Sequence, residues 1–463
     1  MQFIEWHRDD TSENLPDRNP NANKMRCMNW YENFARGIPG VIVFILIAWA
    51  LSSHRKSISW RVVATGIGLQ FIIAILVLNV DFVAVVFSQI AAFFVQVSEF
   101  TKKGSLFVFG SLADRNEMGF IFAFQILPSI IFFSALTSLL YYLGVLQIVV
   151  KGLAWVMSRA MRLSGAESLA AAANVFLGQT EAPLMIKPYI SKMSRSELMA
   201  LMTGGMATIA GAVMVAYIAL LGGESNESQR EFATLLLCAS LMNAPAALAL
   251  AKVMEPETGK VNSDLSVSKE QVGSNMLESI ANGTSEGVKL ALNVGAMLLV
   301  FVALIAMIDY GLGNWVGMLG YDDWNLNSAV VSSSGGQFNS LSLGAILGYI
   351  FAPIAWLIGA SGELLSMGKL LGMKMVSNEF FAFQELAQMK EAGVISPRNV
   401  FLSTFALCGF ANFSSIGIQL GGIGVLAPER KGLIAKLGMK SMIAGTLASL
   451  MSATVAGMVS AGY

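Results

Sequence analysis

The sequence predicts an all-α polytopic membrane protein: eight transmembrane helices, one interfacial helix and two re-entrant hairpins in inverted repeats. Three observations carry that prediction. The 463-residue chain is 55% hydrophobic and 13% charged, where soluble domains average about a quarter charged. Its mean hydropathy of +0.63 leaves too little polar surface to face water, so lipid must be part of its solvent. Apolar runs of spanning length also recur along it, and two are interrupted by polar residues near their middles.

The elements follow in order. Residues 1–36 form a polar tail of mixed charge (EWHRDDTSENLPDRNPNANK) that reads as disordered. It contains no apolar core of a signal peptide. Residues 37–165 hold N-terminal spans at 38–53, 60–79 and 118–144, a scaffold in part. Between them, 82–100 sets Gln89, Gln96 and Glu99 among aromatics and reads as the interfacial helix. Residues 166–260 form a first transport repeat: hairpin 166–192, then spans 197–221 and 231–252. A central span at 286–310 belongs to the scaffold. Residues 341–463 form the second repeat: hairpin 341–386, then spans 400–426 and 437–460.

Charge placement orients these elements. Lys and Arg collect on the cytoplasmic side of short loops. Arg55, Lys56 and Arg61, then Lys151, Arg159 and Arg162, then Lys187, Lys192 and Arg195, fall on one side if the first span runs inward. Lys252, Lys260, Arg430, Lys431, Lys436 and Lys440 fall there too, while 222–229 and 290–368 hold no Lys or Arg. Lys102, Lys103, Arg115, Lys390 and Arg398 are exceptions. Both termini are therefore expected outside. The hairpins then open from opposite sides, and inverted repeats with broken helices at mid-membrane depth are a transporter signature.

Composition also excludes functions. Net charge is zero, so nothing points to nucleic acid. The 3 cysteines are scattered and read as packing residues, and the 2 histidines, His7 and His54, leave no His/Cys metal site within the spans. GELLSMGKL at 362–370 has the wrong spacing for a phosphate loop. A transporter built this way is secondary rather than ATP-driven.

Four segments carry candidate chemistry. In GQTEAP, 178–183, Gly178 and Pro183 break a helix around Gln179, Thr180 and Glu181. Such a break must be buried in protein or line a wet cavity, and a carboxylate there is costly unless paired, hydrated or ligand-bound. The alternative is a glutamate that only caps a helix end. In SNEFFAF, 377–383, Glu379 follows Asn378 among phenylalanines; a solvated loop glutamate is the alternative. In FANFSSIG, 410–417, Asn412, Ser414 and Ser415 suggest an unwound turn, although hydroxyls can merely back-bond to a helix. In ATIAGAV, 207–213, unwinding would free carbonyls beside Thr208. Asn174 lies one turn before Gly178. Neutral oxygens from Asn174, Thr208 and freed carbonyls suit a hard monovalent cation better than a proton, which needs a titrating group.

Together GQTEAPLMIKPYI, ATIAG, GMKMVSNEFFAF (372–383) and FANFSSIGIQLGGI resemble the concentrative nucleoside transporters, and the resemblance spans roughly 38–460 in order. It implies a bacterial, inner-membrane homotrimer whose transport domain moves as an elevator against a trimerising scaffold. It implies that Gln179, Thr180 and Glu181 contact the base, that Val213 and Phe410 pack on it, and that Glu379, Asn412 and Ser415 hold the ribose hydroxyls. It places sodium near Asn174, Thr208 and the carbonyls of Leu177 and Ile209. Gly178-Gln179 is similar to broadly selective members, which implies both purine and pyrimidine nucleosides. Position 208 is Thr where Ser is common, which keeps the hydroxyl. Some bacterial members use protons, so a proton-coupled symporter and an uncoupled channel stand as alternatives. An intramembrane enzyme using Glu181 and Glu379 as acid and base lacks a nucleophile or metal set, so no enzyme activity and no cofactor beyond the coupling ion are expected.

Overall fold

The computed structural model describes residues 30–259, 273–321 and 324–460. Most of the polar tail, including His7 and Cys27, and Lys260 lie outside them. Residues 30–36 are not part of a tail: the first helix already begins at Trp30.

Twenty-one α-helices follow one another among the described residues. The first block is α1 (Trp30–Ala50), α2 (Trp60–Asn79) and α3 (Asp81–Phe109). The second runs α4 (Arg115–Met118), α5 (Phe122–Gln125), α6 (Leu127–Tyr142), α7 (Val145–Met161), α8 (Gly165–Asn174), α9 (Ala182–Met185), α10 (Lys187–Ile190), α11 (Arg195–Ala207), α12 (Gly211–Gly222) and α13 (Asn226–Met254). The third runs α14 (Met276–Gly311), α15 (Leu326–Ser333), α16 (Leu343–Leu357), α17 (Leu364–Val376), α18 (Glu379–Glu391), α19 (Pro397–Leu407), α20 (Phe413–Leu426) and α21 (Lys431–Val459). A two-residue ladder, Gly320–Tyr321 against Trp324–Asn325, lies after α14.

Eight stretches among the described residues are long and apolar enough to cross a membrane. They are not the eight expected. Residues 81–118 qualify, because α3 continues to Phe109, beyond the expected interfacial segment. Its buried residues Ala91, Phe94, Val97, Thr101 and Ser105 fall on one face, the spacing of an amphipathic helix. Residues 400–426 do not qualify, because the chain breaks between α19 and α20 and leaves helices of 11 and 14 residues. The region 118–144 is also interrupted: Pro128 sits in the first turn of α6 and cannot continue α5. Residues 145–161, between the expected span 118–144 and the expected hairpin 166–192, form a separate helix, α7. The range 341–386 holds three helices rather than two, since the chain turns at 358–363 and again at Ser377-Asn378.

The middle of the molecule is wrapped by protein. The apolar stretches in 195–222, 226–254 and 428–459 are 94%, 89% and 89% buried, whereas that in 276–316 is 11% buried. Helix α14 packs along α6, while Leu277, Leu292, Leu299 and Met307 project outward. Cys238 and Cys408 are separate buried thiols.

Polar clusters gather at two opposite ends of the inner helices. At one end the Glu255 carboxylate accepts from Arg195 Nε at 2.6 Å and Ser53 Oγ at 2.8 Å, with Lys440 at 3.5 Å. Beside it Lys252 is paired with Glu167 at 2.7 Å and Glu257 at 3.4 Å. These residues come from the regions whose charges were read as cytoplasmic. At the other end Arg36 donates to Ala360 O, Asn79 to Val459 O and Lys390 to Leu221 O. Arg398 donates to Gly359 O, and Arg115 meets Glu391 at 3.5 Å. Three of the cations that broke the charge rule therefore share this opposite end.

The Glu255 cluster has a pH signature. Burial pushes its carboxyl up, but hydrogen bonds from Ser53 and Arg195 and the Arg195 and Lys440 charges outweigh burial and hold it below the usual value. The unfolded chain thus binds this proton more readily, so the stabilisation is present above the ordinary carboxylate pKa and is lost as pH falls through the lowered folded value. Glu255→Gln should cost about 1–2 kcal/mol at neutral pH, since the Arg195 partner is half-exposed. Thermal midpoints of detergent-solubilised protein against pH check this. The variant should lose part of the acid-induced drop, and a parallel pair of curves would refute the assignment.

Candidate functional site

The site is built where two broken helices cross. Helix α11 stops at Ala207, because Thr208 turns to extended backbone and Ala210 remains extended before α12 starts at Gly211. Helix α19 stops at Leu407, and α20 starts again after Asn412. The two interruptions touch. Phe410 N–H donates to Thr208 O at 3.3 Å. Gly409 has φ +129, and a Cβ there would stand 2.4 Å from Ala207 O, so only glycine fits. From α13, Asn243 Nδ2 donates to Ala207 O at 2.7 Å and to Cys408 O at 3.1 Å. Half-helix ends, otherwise unpaired at this depth, are thereby satisfied by each other and by one amide.

The first tip, 175–181, folds onto this crossing. Ser164 and Glu167 form a buried capping box that starts α8. After Asn174 the chain turns, and Glu181 and Ala182 N–H groups both donate to Gly178 O at 3.0 Å. Phe176 O accepts from Gly211 N–H at 3.0 Å, and Val175 O from Ser240 Oγ at 3.1 Å. Gln179 is buried against Gly205 of α11, where a Cβ would come within 2.9 Å of its own Cβ. Thr180 is exposed and faces Gly422 of α20. Glu181 is half-buried and accepts from Gly178 N–H at 3.3 Å, so its carboxylate turns back on its own tip.

The second break, Ser377-Asn378, starts α18. Asn378 caps that helix by accepting from Phe381 N–H at 2.8 Å. The next residue, Glu379, is buried and accepts from Asn412 Nδ2 at 2.8 Å and from Tyr217 Oη at 3.1 Å. Asn412 in turn caps α20, accepting from Ser415 N–H at 2.9 Å and Ser414 Oγ at 2.7 Å. Ser415 Oγ accepts from Gln179 Nε2 at 3.1 Å. Gln179, Ser415, Asn412, Glu379 and Tyr217 thus form one polar chain joining both tips, four of them nominated by the sequence. Val213 is buried one turn before Tyr217, and Phe410 is half-buried at the crossing.

Tyr217 was missed. It is fully buried, stacks on Phe383 at 4.3 Å and meets Phe380 edge-on at 5.0 Å. The available signal was a hydroxyl four residues beyond Val213, on the same helical face. Gln419, whose Nε2 donates to Met202 O, and Asn243 were missed as well.

The proposed cation residues lie close by. Asn174 is buried, and neither its oxygen nor its nitrogen has a hydrogen-bond partner. It stands over α11, where a Cβ on Gly204 would lie 3.1 Å from its Nδ2. Thr208 Oγ1 donates to Gly204 O at 2.9 Å, which leaves that oxygen's lone pairs available. Leu177 and Ile209 are buried on the two strands of chain flanking this spot. No cluster of three His, Cys, Asp or Glu that suits a metal occurs among the described residues. Neutral oxygens fit a monovalent cation better than a transition metal.

Comparison with known proteins identifies the family of the chain. Family profiles described as "Na+ dependent nucleoside transporter N-terminus", "Nucleoside recognition" and "Na+ dependent nucleoside transporter C-terminus" match residues 39–112, 123–224 and 235–457. An "Uncharacterized transporter" of Haemophilus influenzae is 44% identical over 91% of this chain and 96% of its own length. "Sodium/nucleoside cotransporter 1" of Rattus norvegicus is 38% identical over 91% of this chain, which spans 63% of that protein. The solved structure of CNTnw in an inward-facing substrate-bound state superposes with TM-score 0.81 at 38% identity, covering 92% of this chain and 99% of CNTnw. A variant of CNTnw in an outward-facing state gives 0.83 at 37% identity. The chain is a multi-pass membrane protein of the concentrative, sodium-dependent nucleoside transporter family, and a transporter rather than an enzyme.

Proposed function

We propose that this protein imports nucleosides across the cell's inner membrane by symport with sodium, accepting both purine and pyrimidine nucleosides. One observation carries the reading: a buried hydrogen-bond chain, Gln179–Ser415–Asn412–Glu379–Tyr217, runs between two broken helices and contains a carboxylate. A ribose diol presents paired donors, and a carboxylate with about four acceptor positions can take both while keeping Asn412 and Tyr217. Gln179 Oε1 is buried without a partner and is available to a base. On this reading Thr180 and Glu181 complete the base contacts, Glu181 through water. Val213 and Phe410 pack on the ring faces, and Ser415 with Asn412 and Glu379 holds the sugar.

Sodium is assigned to Asn174, Thr208 and the carbonyls of Leu177 and Ile209. The unpartnered Asn174 oxygen supports this. We further assign the two tips to re-entrant hairpins in inverted repeats, since α8 to α13 and α17 to α21 share one plan: broken hairpin, broken helix, unbroken helix. The protein-wrapped repeats form the moving part of an elevator. The outward apolar face of α14, packed on α6, suits a stationary trimeric scaffold.

The overall test is uptake of labelled uridine and adenosine into proteoliposomes. Accumulation above the outside level under an inward sodium gradient alone is expected. Equilibration without accumulation indicates a facilitator, and accumulation driven only by a proton gradient indicates a proton symporter. Glu379→Gln should weaken nucleoside binding by about 10- to 100-fold, with 2′- and 3′-deoxyuridine losing less than uridine. Uridine affinity near wild type would refute the sugar assignment. Asn174→Ala should raise the sodium concentration for half-maximal uptake by about tenfold, and an unchanged sodium response would remove Asn174 from the cation site.

A further inference from the structure

Asn243 lies on α13, outside both hairpins and both broken helices, yet its amide spans them. Its Nδ2 carries two N–H donors. One goes to Ala207 O at 2.7 Å, the last carbonyl of α11; the other goes to Cys408 O at 3.1 Å, the first carbonyl past α19. These acceptors are 36 and 165 residues away in sequence. The residue is fully buried, so its two hydrogen bonds have no competing water.

What lies beyond each acceptor matters. Thr208 and Ile209 follow Ala207 directly, and both belong to the proposed sodium site. Phe410 and Asn412 follow Cys408, and both belong to the proposed nucleoside site. Phe410 N–H donates to Thr208 O, so the two interruptions also share a backbone bond immediately beside the amide. A cation that draws in the Thr208 and Ile209 oxygens must shift or stiffen the strand starting at Ala207. Through the forked amide, the strand starting at Cys408 then moves or stiffens with it.

We propose that Asn243 is the positioning residue that couples the two ligands: sodium at the first break raises nucleoside affinity at the second through the Asn243 fork and the Phe410–Thr208 bond. The inference rests on the sodium and nucleoside assignments above. Coupling is a free energy shared between sites. Removing its carrier reduces the mutual effect of the ligands more than it reduces either binding alone. A merely structural role for Asn243 lowers affinity equally in both conditions.

The test measures uridine dissociation constants by calorimetry, in choline and in saturating sodium, for wild type, Asn243→Ala and Asn243→Asp. The aspartate keeps the shape but loses the fork. In wild type, sodium should tighten uridine binding by a factor within the usual coupling range of about 5- to 150-fold. In both variants that factor should fall about tenfold or to near unity. If both variants bind less tightly yet keep the wild-type factor, the proposal is overturned. If wild type shows no sodium effect, the sodium assignment fails first and the inference with it.

A second measurement needs no variant. Hydrogen exchange in wild type with sodium and no nucleoside should slow the amides of 408–412 together with those of 208–211. Protection confined to 174–181 and 208–211 would overturn the inference even if both variants fail to fold.

Discussion

Every amide and carbonyl at membrane depth must find a partner inside the protein, and the crossing of the two interrupted helices is where this chain meets that demand most severely. Two helices that stop mid-way leave exposed carbonyls at their C-terminal ends and exposed amides at their restarts. Here the ends face one another. Ala207 O and Cys408 O share the Asn243 amide, Thr208 O takes Phe410 N–H, and Gly211 N–H reaches back to Phe176 O. The solution works only at contact distance, which is why Gly409 tolerates no side chain. Polar side chains carried past the crossing, Asn412 and Ser415 on one strand and Thr208 on the other, then converge without further machinery.

The rest of the molecule holds that crossing in place. The inner stretches 195–222, 226–254 and 428–459 are enclosed, and α13 and α21 are unbroken helices of 29 residues each that brace the broken ones. Their ends are tied by charged side chains, at Glu255 and Lys252 at one end and at Arg36, Arg398 and Lys390 at the other. An ion pair such as Lys252–Glu167 adds little net stability, since desolvation offsets attraction. Breaking it leaves an unpaired buried charge, so its use here is to fix the register of α13 against the start of α8.

Much of this was legible in the sequence where the physics is local. The span 60–79 is α2 to the residue, because an apolar run is bounded by Ser59 and Asp81. The breaks at 178–183, 207–211 and 410–415 were found because Gly, Pro and clustered hydroxyls interrupt helices wherever they occur. Segments set by distant contacts were not legible. Helix α7 was missed, since its apolar stripe is interleaved with Lys151 and Arg159 and is too short to span. Helix α16 was merged with the hairpin because its apolarity runs straight into the turn at 358–363. Tyr217, Asn243 and Gln419 are single polar residues in apolar helices. Only partners 162, 165 and 217 residues away distinguish them from solvated or back-bonded side chains.

The two interrupted helices also differ in how their ends are charged, and that difference bears on why only one of them is proposed as the cation site. A helix C-terminus carries a partial negative charge that favours a cation. At the end of α19 a buried lysine supplies one: Lys374 Nζ donates to Ala406 O at 2.8 Å and to Ser449 Oγ at 3.0 Å. At the end of α11 the nearby side chains are neutral, Thr208 and the unpartnered Asn174. A covalently tethered cation cannot leave, whereas neutral oxygens around an equivalent negative end leave room for one that can. On the proposed reading, the fold therefore balances its second break permanently with Lys374 and its first break only when sodium is present. The occupancy of one helix end then becomes a variable that the gradient controls, and the Asn243 fork passes it to the helix that holds the sugar.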